Sequence, residues 1–114
     1  MPARELPHPS ASDITLDHVL SALSDPIRRD ILQRIAREGP LYCGDLQYDV
    51  AKSTLSYHLK CLRQSGLMHT EVMGKHRQIT RRDPLIEHKF PGLLAAVGLD
   101  AGLGQYQEPL PTRP

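Results

Sequence analysis

The chain has 114 residues, of which 39% are hydrophobic and 24% charged, with a formal net charge of +1. This is the composition of one ordinary globular domain, and it excludes a fibrous or wholly disordered chain. No run approaches the roughly 20 consecutive apolar residues of a membrane span, the N-terminus lacks the order of a signal peptide, and two cysteines are too few for a disulfide framework, so a cytoplasmic chain with reduced thiols is expected.

Six of the ten prolines lie at the two ends, and Gly98, Gly102 and Gly104 crowd the C-terminal stretch. Neither end offers a periodic apolar face. A flexible arm over 1–12 and a flexible tail over 98–114 are therefore expected to flank a folded unit over 13–97. In that unit a first helix is predicted from about Ile14 to Leu23, with Leu16, Val19, Leu20 and Leu23 on its apolar face. Ser24 or Asp25 caps the second, where Pro26 suits the first position, Ile27, Ile31 and Ile35 recur at four-residue spacing, and Gly39-Pro40 is the stop. A short third helix is predicted from about Cys43 to Tyr48, followed by a turn over Asp49 to Lys52. Ser53 is the expected cap of a fourth helix, with Leu55, Leu59 and Leu62 as its buried stripe and Gly66 at its end. Beyond Gly66, Met68 to Met73 and His76 to Thr80 carry β-branched residues around Gly74-Lys75, the signature of a hairpin. Asp83-Pro84 restarts a helix carrying Leu85, Ile86 and Phe90, which Pro91 kinks or restarts before Leu93, Leu94 and Val97.

The predicted order is α-α-α-α-β-β-α, mainly α with a small β-hairpin. Two short helices joined by a tight turn and followed by a hairpin make a winged helix-turn-helix, whose second helix reads DNA. A folded unit this small has a thin core, so a dimer that buries the first and last helices is expected. The charge distribution agrees with a DNA partner. Residues 52–82 hold seven Lys and Arg against the single acid Glu71, while the remainder of the chain is acidic. One basic segment in an acidic chain is the footprint of a protein that meets phosphates with one face, although a solvated basic surface would have the same composition. On the fourth helix, Ser53, Thr54, Ser56, Tyr57, His58 and Lys60 share the side opposite the leucines. Thr54, Ser56, Tyr57 and His58 are the candidates for base edges. Lys52, Lys60 and Arg63 are placed for phosphates, and Lys75, His76 and Arg77 at the hairpin tip for the backbone or the adjacent minor groove.

Three strings in this order resemble the ArsR (ArsR/SmtB) family of repressors: Ala22-Leu23-Ser24-Asp25-Pro26-Ile27-Arg28-Arg29, then Ser53-Thr54-Leu55-Ser56-Tyr57-His58-Leu59-Lys60 running on to Gly66-Leu67, then Gly74-Lys75-His76-Arg77. The resemblance spans about Leu16 to Arg82. It implies a homodimeric winged helix-turn-helix regulator that binds operator DNA and responds to a metal ion or another signal. The sensor positions depart from the family pattern. Aligned on Asp45-Leu46, the two usual cysteine positions of metal-sensing members hold Tyr42 and Gly44, with Cys43 between them. A one-residue offset turns a helical side chain by about 100°, so Cys43 does not inherit the ligand role. The last-helix site of the family is also incomplete, because Glu87-His88 has no later histidine. A nickel or zinc site is expected instead from Asp17-His18 and Glu87-His88 meeting across the dimer, since imidazole and carboxylate suit those ions better than copper(I).

The competing expectations are a thiol sensor using Cys43 or Cys61, a small-molecule sensor, or a DNA-binding subunit whose partner protein senses. An enzyme is excluded, as no nucleophile and base pair, phosphate-binding glycine loop or complete zinc motif is present. An RNA module is disfavoured because Phe90 and four tyrosines make no stacking platform.

Overall fold

The computed structural model describes residues 6–112, and the first five residues of the expected arm lie outside this range. Helix α1 spans Leu16–Leu23 and is capped by Thr15, whose hydroxyl accepts the His18 N–H. Helix α2 spans Pro26–Glu38. Its cap is Asp25, which takes the N–H groups of Ile27 and Arg28 at 2.8 and 3.2 Å, with Pro26 in the first turn where no donor is missed. Helix α3 covers Lys52–Ser65 and ends at Gly66, whose left-handed φ of 91° closes the helix. A side chain at Gly66 would also strike Ile14, only 2.4 Å from where its Cβ would sit. Strands β2, Met68–Met73, and β3, His76–Arg81, form the hairpin in the register Met73↔His76. Helices α4, Asp83–Lys89, and α5, Leu93–Ala96, complete the elements.

Two expectations are corrected. Cys43 to Tyr48 is not a helix: Leu41–Tyr42 forms a short strand, β1, pairing antiparallel with β3, and only a 3-10 turn follows over Cys43–Asp45. Gly44 and the pull of Leu41 into the sheet outweigh local helix tendency there. The sheet order is thus β1-β3-β2, with β2 on an open edge. The fourth expected helix begins at Lys52 after Ala51, so Ser53 lies inside the first turn rather than capping it. Of the two alternatives at Pro91 the chain takes the restart: the helix after the wing is two pieces, because Phe90 leaves helical geometry before Pro91 and Gly92 reverses the chain.

The described parts of both ends lie against the domain. Leu99 is buried in the core, and the Leu103 N–H binds the Ala36 carbonyl of α2. Gly104 approaches α2 so closely that a Cβ would sit 2.4 Å from Ile35. The glycines that look loose in sequence are what permit this contact. From there the chain runs beside β3, exchanging hydrogen bonds between Arg81 and both Gly104 and Tyr106. At the other end His8 stacks on His69 of β2, and Tyr106 covers the other face of His69 at 3.6 Å between ring centres.

The core joins Val19 of α1, Ile31, Leu32 and Ile35 of α2, Leu62 of α3, Met68 and Ile79 of the hairpin, and Leu85 and Ile86 of α4. Leu55 and Leu59 are only half-buried at its margin. Arg81 is 1% exposed, the largest of the fully buried side chains among the described residues. Its guanidinium is satisfied by Asp83, by the Leu32 carbonyl and by the Leu99 carbonyl, so one cation ties the wing, α2 and the C-terminal segment together. Full pairing of this kind is what allows a charge to stay in an apolar interior.

Candidate nucleic-acid interface

Helix α3 turns its leucines inward and leaves Lys52, Ser53, Thr54, Ser56, Tyr57 and Lys60 exposed, with Tyr57 61% exposed. The Ala51 cap supplies no side-chain acceptor, so the first N–H groups of α3 add partial positive charge where Lys52 stands. At the wing tip Gly74, Lys75, His76 and Arg77 are all exposed, and His76 packs its ring edgewise on Tyr42 of β1. Arg63 of α3 is half-buried, and its Nε is buried without a hydrogen-bond partner among the described residues. Burial, and then the charge of Arg77, push the Arg63 pKa down, so the two guanidinium groups of helix and wing lie near enough to repel. Such a pair is relieved by an anion between them, as a DNA phosphate would be.

His58 does not belong with the base-edge candidates. It is buried, 7% exposed, because position 58 falls on the flank of α3 that faces α1 and α2. There its Nδ1 accepts a hydrogen bond of 3.0 Å from Nη1 of Arg28. Arg28 is itself buried and also donates to the carbonyls of Ala22 and Ser21 in the last turn of α1. The charge count of the basic segment is also reduced. Arg81 is in the core, and Arg82 is buried in a two-pronged ion pair with Glu108. Lys52, Lys60, Arg63, Lys75 and Arg77 are the cations of that segment left to face solvent.

At the sensor positions, Cys43 is half-buried and free, and burial pushes its thiol pKa up against the smaller effect of nearby Arg77. A buried thiol beside Arg77 and Arg63 is a poor metal ligand, and Tyr42 and Gly44 contribute no thiolate, so this segment does not fit the cysteine metal site of the family. Asp17 and His18 are exposed on α1. Glu87 accepts the Gly92 N–H at 2.8 Å, and His88 is half-buried on α4. Among the described residues, no three His, Cys, Asp or Glu side chains gather as a metal site. Cys61 is half-buried and free, and lines a cavity of about 210 Å³ between α1 and α3 with His18, Arg28, Tyr57 and Gln64. Arg28 is the functional-site residue that sequence reasoning missed. Its only signal was a cation placed one residue after Ile27 on a helix whose apolar face then has to accommodate it.

Residues 23–71 match the family model of a helix-turn-helix domain. The chain is 32% identical over 79 residues to the uncharacterized HTH-type transcriptional regulator YceK of Bacillus subtilis (strain 168), covering 67% of this chain and 79% of that protein. It is 34% identical over 65 residues to the transcriptional repressor SdpR of the same organism, covering 55% of this chain and 66% of that one. The crystal structure of an ArsR family transcriptional regulator superposes with a TM-score of 0.61 at 28% identity, over 74% of this chain and 88% of the other. Together with the exposed α3 and the basic wing, these likenesses establish that the chain belongs to the ArsR family of winged helix-turn-helix DNA-binding transcriptional regulators, which are not enzymes.

Proposed function

We propose that the protein represses transcription as a symmetric homodimer, each protomer laying α3 in a major groove and its wing along the adjoining backbone. The observation that carries this reading is the exposed polar face of α3 beside the exposed wing cations Lys75 and Arg77, with the Arg77 charge felt at Arg63. Thr54, Ser56 and Tyr57 read base edges. Lys52, Ser53, Lys60, Arg63, Lys75, His76 and Arg77 hold phosphates or reach the minor groove. The dimer is supported by Leu16 and Leu20, one turn apart on α1 and 44% and 45% exposed, and by Val97 after α5. Two apolar side chains at that spacing on a terminal helix suit a self-complementary face.

The double variant Lys75→Ala, Arg77→Ala tests the wing. Phosphate contacts are sequence-independent, so the variant should bind all duplexes more weakly and lose about two units of the slope of log affinity against log salt. A change confined to one sequence, with the salt slope intact, would count against the assignment.

Metal responsiveness, with nickel or zinc, rests on Asp17-His18 and Glu87-His88 completing a site across the two-fold axis. Within one protomer these groups are too few. Calorimetric nickel titration of wild-type and His18→Ala protein should show binding in the first and none in the second. Equal stoichiometry and affinity in both would remove this site and leave a signal of another kind. Cys61, on the wall of the cavity behind α3, supports the alternative thiol sensor.

A further inference from the structure

The bond between Arg28 and His58 fixes a protonation state. A guanidinium has donors only and stays charged, so Nδ1 of His58, 3.0 Å from Nη1 of Arg28, must bring the lone pair. The imidazole is therefore neutral with its proton on Nε2. The same guanidinium holds the last turn of α1 through Nε to the Ala22 carbonyl at 2.7 Å and Nη2 to the Ser21 carbonyl at 3.2 Å. One buried side chain of α2 thus spans from α1, the helix with the exposed leucines, to the inner flank of α3. His58 is flanked on α3 by the exposed Tyr57, whose ring centre is 6.2 Å away.

We infer that Arg28 and His58 are a proton-sensitive positioning pair, which holds α3 in its DNA-competent orientation only while the His58 ring is neutral. This rests on α3 being the DNA-contacting helix. A second proton on His58 would occupy Nδ1, remove the acceptor and put an imidazolium against a guanidinium, both on buried side chains. The charged and titratable groups around the ring are few. From α2 and its cap come Arg28 and Asp25, whose Oδ1 is 3.9 Å from Nδ1. That oxygen also accepts the N–H groups of Ile27 and Arg28, and its carboxylate is the anion that would draw a protonated Nδ1 away from Arg28. From α3 come Tyr57 and Cys61, and from α1 His18, all on the wall of the cavity that Arg28 also lines. The cavity between α1 and α3 gives Arg28 room to swing away once the bond is lost. Freed of that tether, α3 keeps its leucine contacts but no longer its fixed rotation against α1. Acid therefore lowers DNA affinity through this pair, opposite in sign to the effect of protonating the exposed His76 of the wing.

The test is a set of fluorescence-anisotropy titrations of a labelled duplex from the upstream region of the gene, at fixed ionic strength, between about pH 7.5 and about pH 5.5, where imidazoles titrate. All proteins carry His76→Gln, which silences the wing imidazole. His76→Gln alone is expected to bind on the order of fivefold more weakly at the acid end, a typical coupling between sites. Adding His58→Asn, whose amide oxygen replaces Nδ1 as an acceptor that cannot titrate, is expected to keep the affinity at high pH and abolish the loss. The same pH-dependence in both proteins would overturn the pair's role. Nitrogen NMR of the histidine rings in the wild-type protein tests the geometry without any variant. Nε2–H at high pH, with Nδ1 gaining its proton over the range where affinity falls, is the expected result. An Nδ1–H tautomer at high pH would overturn the proposal. Absence of DNA binding at high pH would instead sink the reading of α3, and the NMR result would still decide the Arg28 and His58 bond.

Discussion

His8 shows how a single residue at the margin of the fold becomes part of its stability. Its Nε2 accepts the Thr70 N–H at 3.0 Å, covering a backbone donor on the open edge strand β2. A lone pair used in this way is not free for a proton. Burial, and then the charge of His69, lower the His8 pKa from the ordinary 6.5 to about 4. Between these values the unfolded chain binds more protons than the folded one. Neutral His8 thus contributes stability that is fully present above 6.5 and is lost as pH falls through about 4. Denaturation midpoints measured across that window should fall less steeply for His8→Gln, which keeps a side chain able to accept the Thr70 N–H, than for wild type. Parallel declines would show that His8 is not the group responsible. At this scale the sequence conveyed types of residue well and their partners poorly. Arg81 and Arg82 count toward the basic segment, yet both are spent inside the domain on Asp83 and Glu108, the latter 26 positions from Arg82. His58 read as a base contact because it shares a helix with Thr54 and Ser56, and only the packing of α1 and α2 turns it inward.

Elements were legible where a local rule acts alone. Asp25-Pro26 and Gly39 mark the ends of α2, Gly66 ends α3, and Gly74-Lys75 sits in the hairpin turn, each at the residue where backbone geometry demands it. Elements defined by distant pairing were not. Strand β1 is two residues long and exists because Leu41 pairs with Ile79, which no local period announces. The C-terminal segment has no periodic apolar face, since it is held by backbone hydrogen bonds to β3 and α2 and by the Tyr106 ring, with Leu99 as a single apolar anchor. Glycine and proline content measures freedom in the unfolded chain, and here Gly104 spends that freedom on a close approach to Ile35. The polar face of α3 and the basic tip of the wing were both visible beforehand, because exposed charge and a leucine stripe at helical spacing are properties of the segment itself.

For the whole molecule, a small core is reinforced by the Arg81 and Arg82 networks, which pin the two ends and the wing to α2 and to one another. That arrangement holds the hairpin rigidly at the side of α3 and leaves the α3 face and the Leu16 and Leu20 face uncovered. A two-fold axis through the α1 face would repeat α3 in the partner, and two reading helices of a dimer fit half-sites about one helical turn of DNA apart. The most direct measurement is hydroxyl-radical footprinting of the wild-type protein on the upstream region of its gene, with stoichiometry followed by sedimentation. The account predicts two symmetric protected half-sites about 10 base pairs apart, occupied by two protomers. A single asymmetric footprint with one protomer, or protection indifferent to sequence, would contradict it.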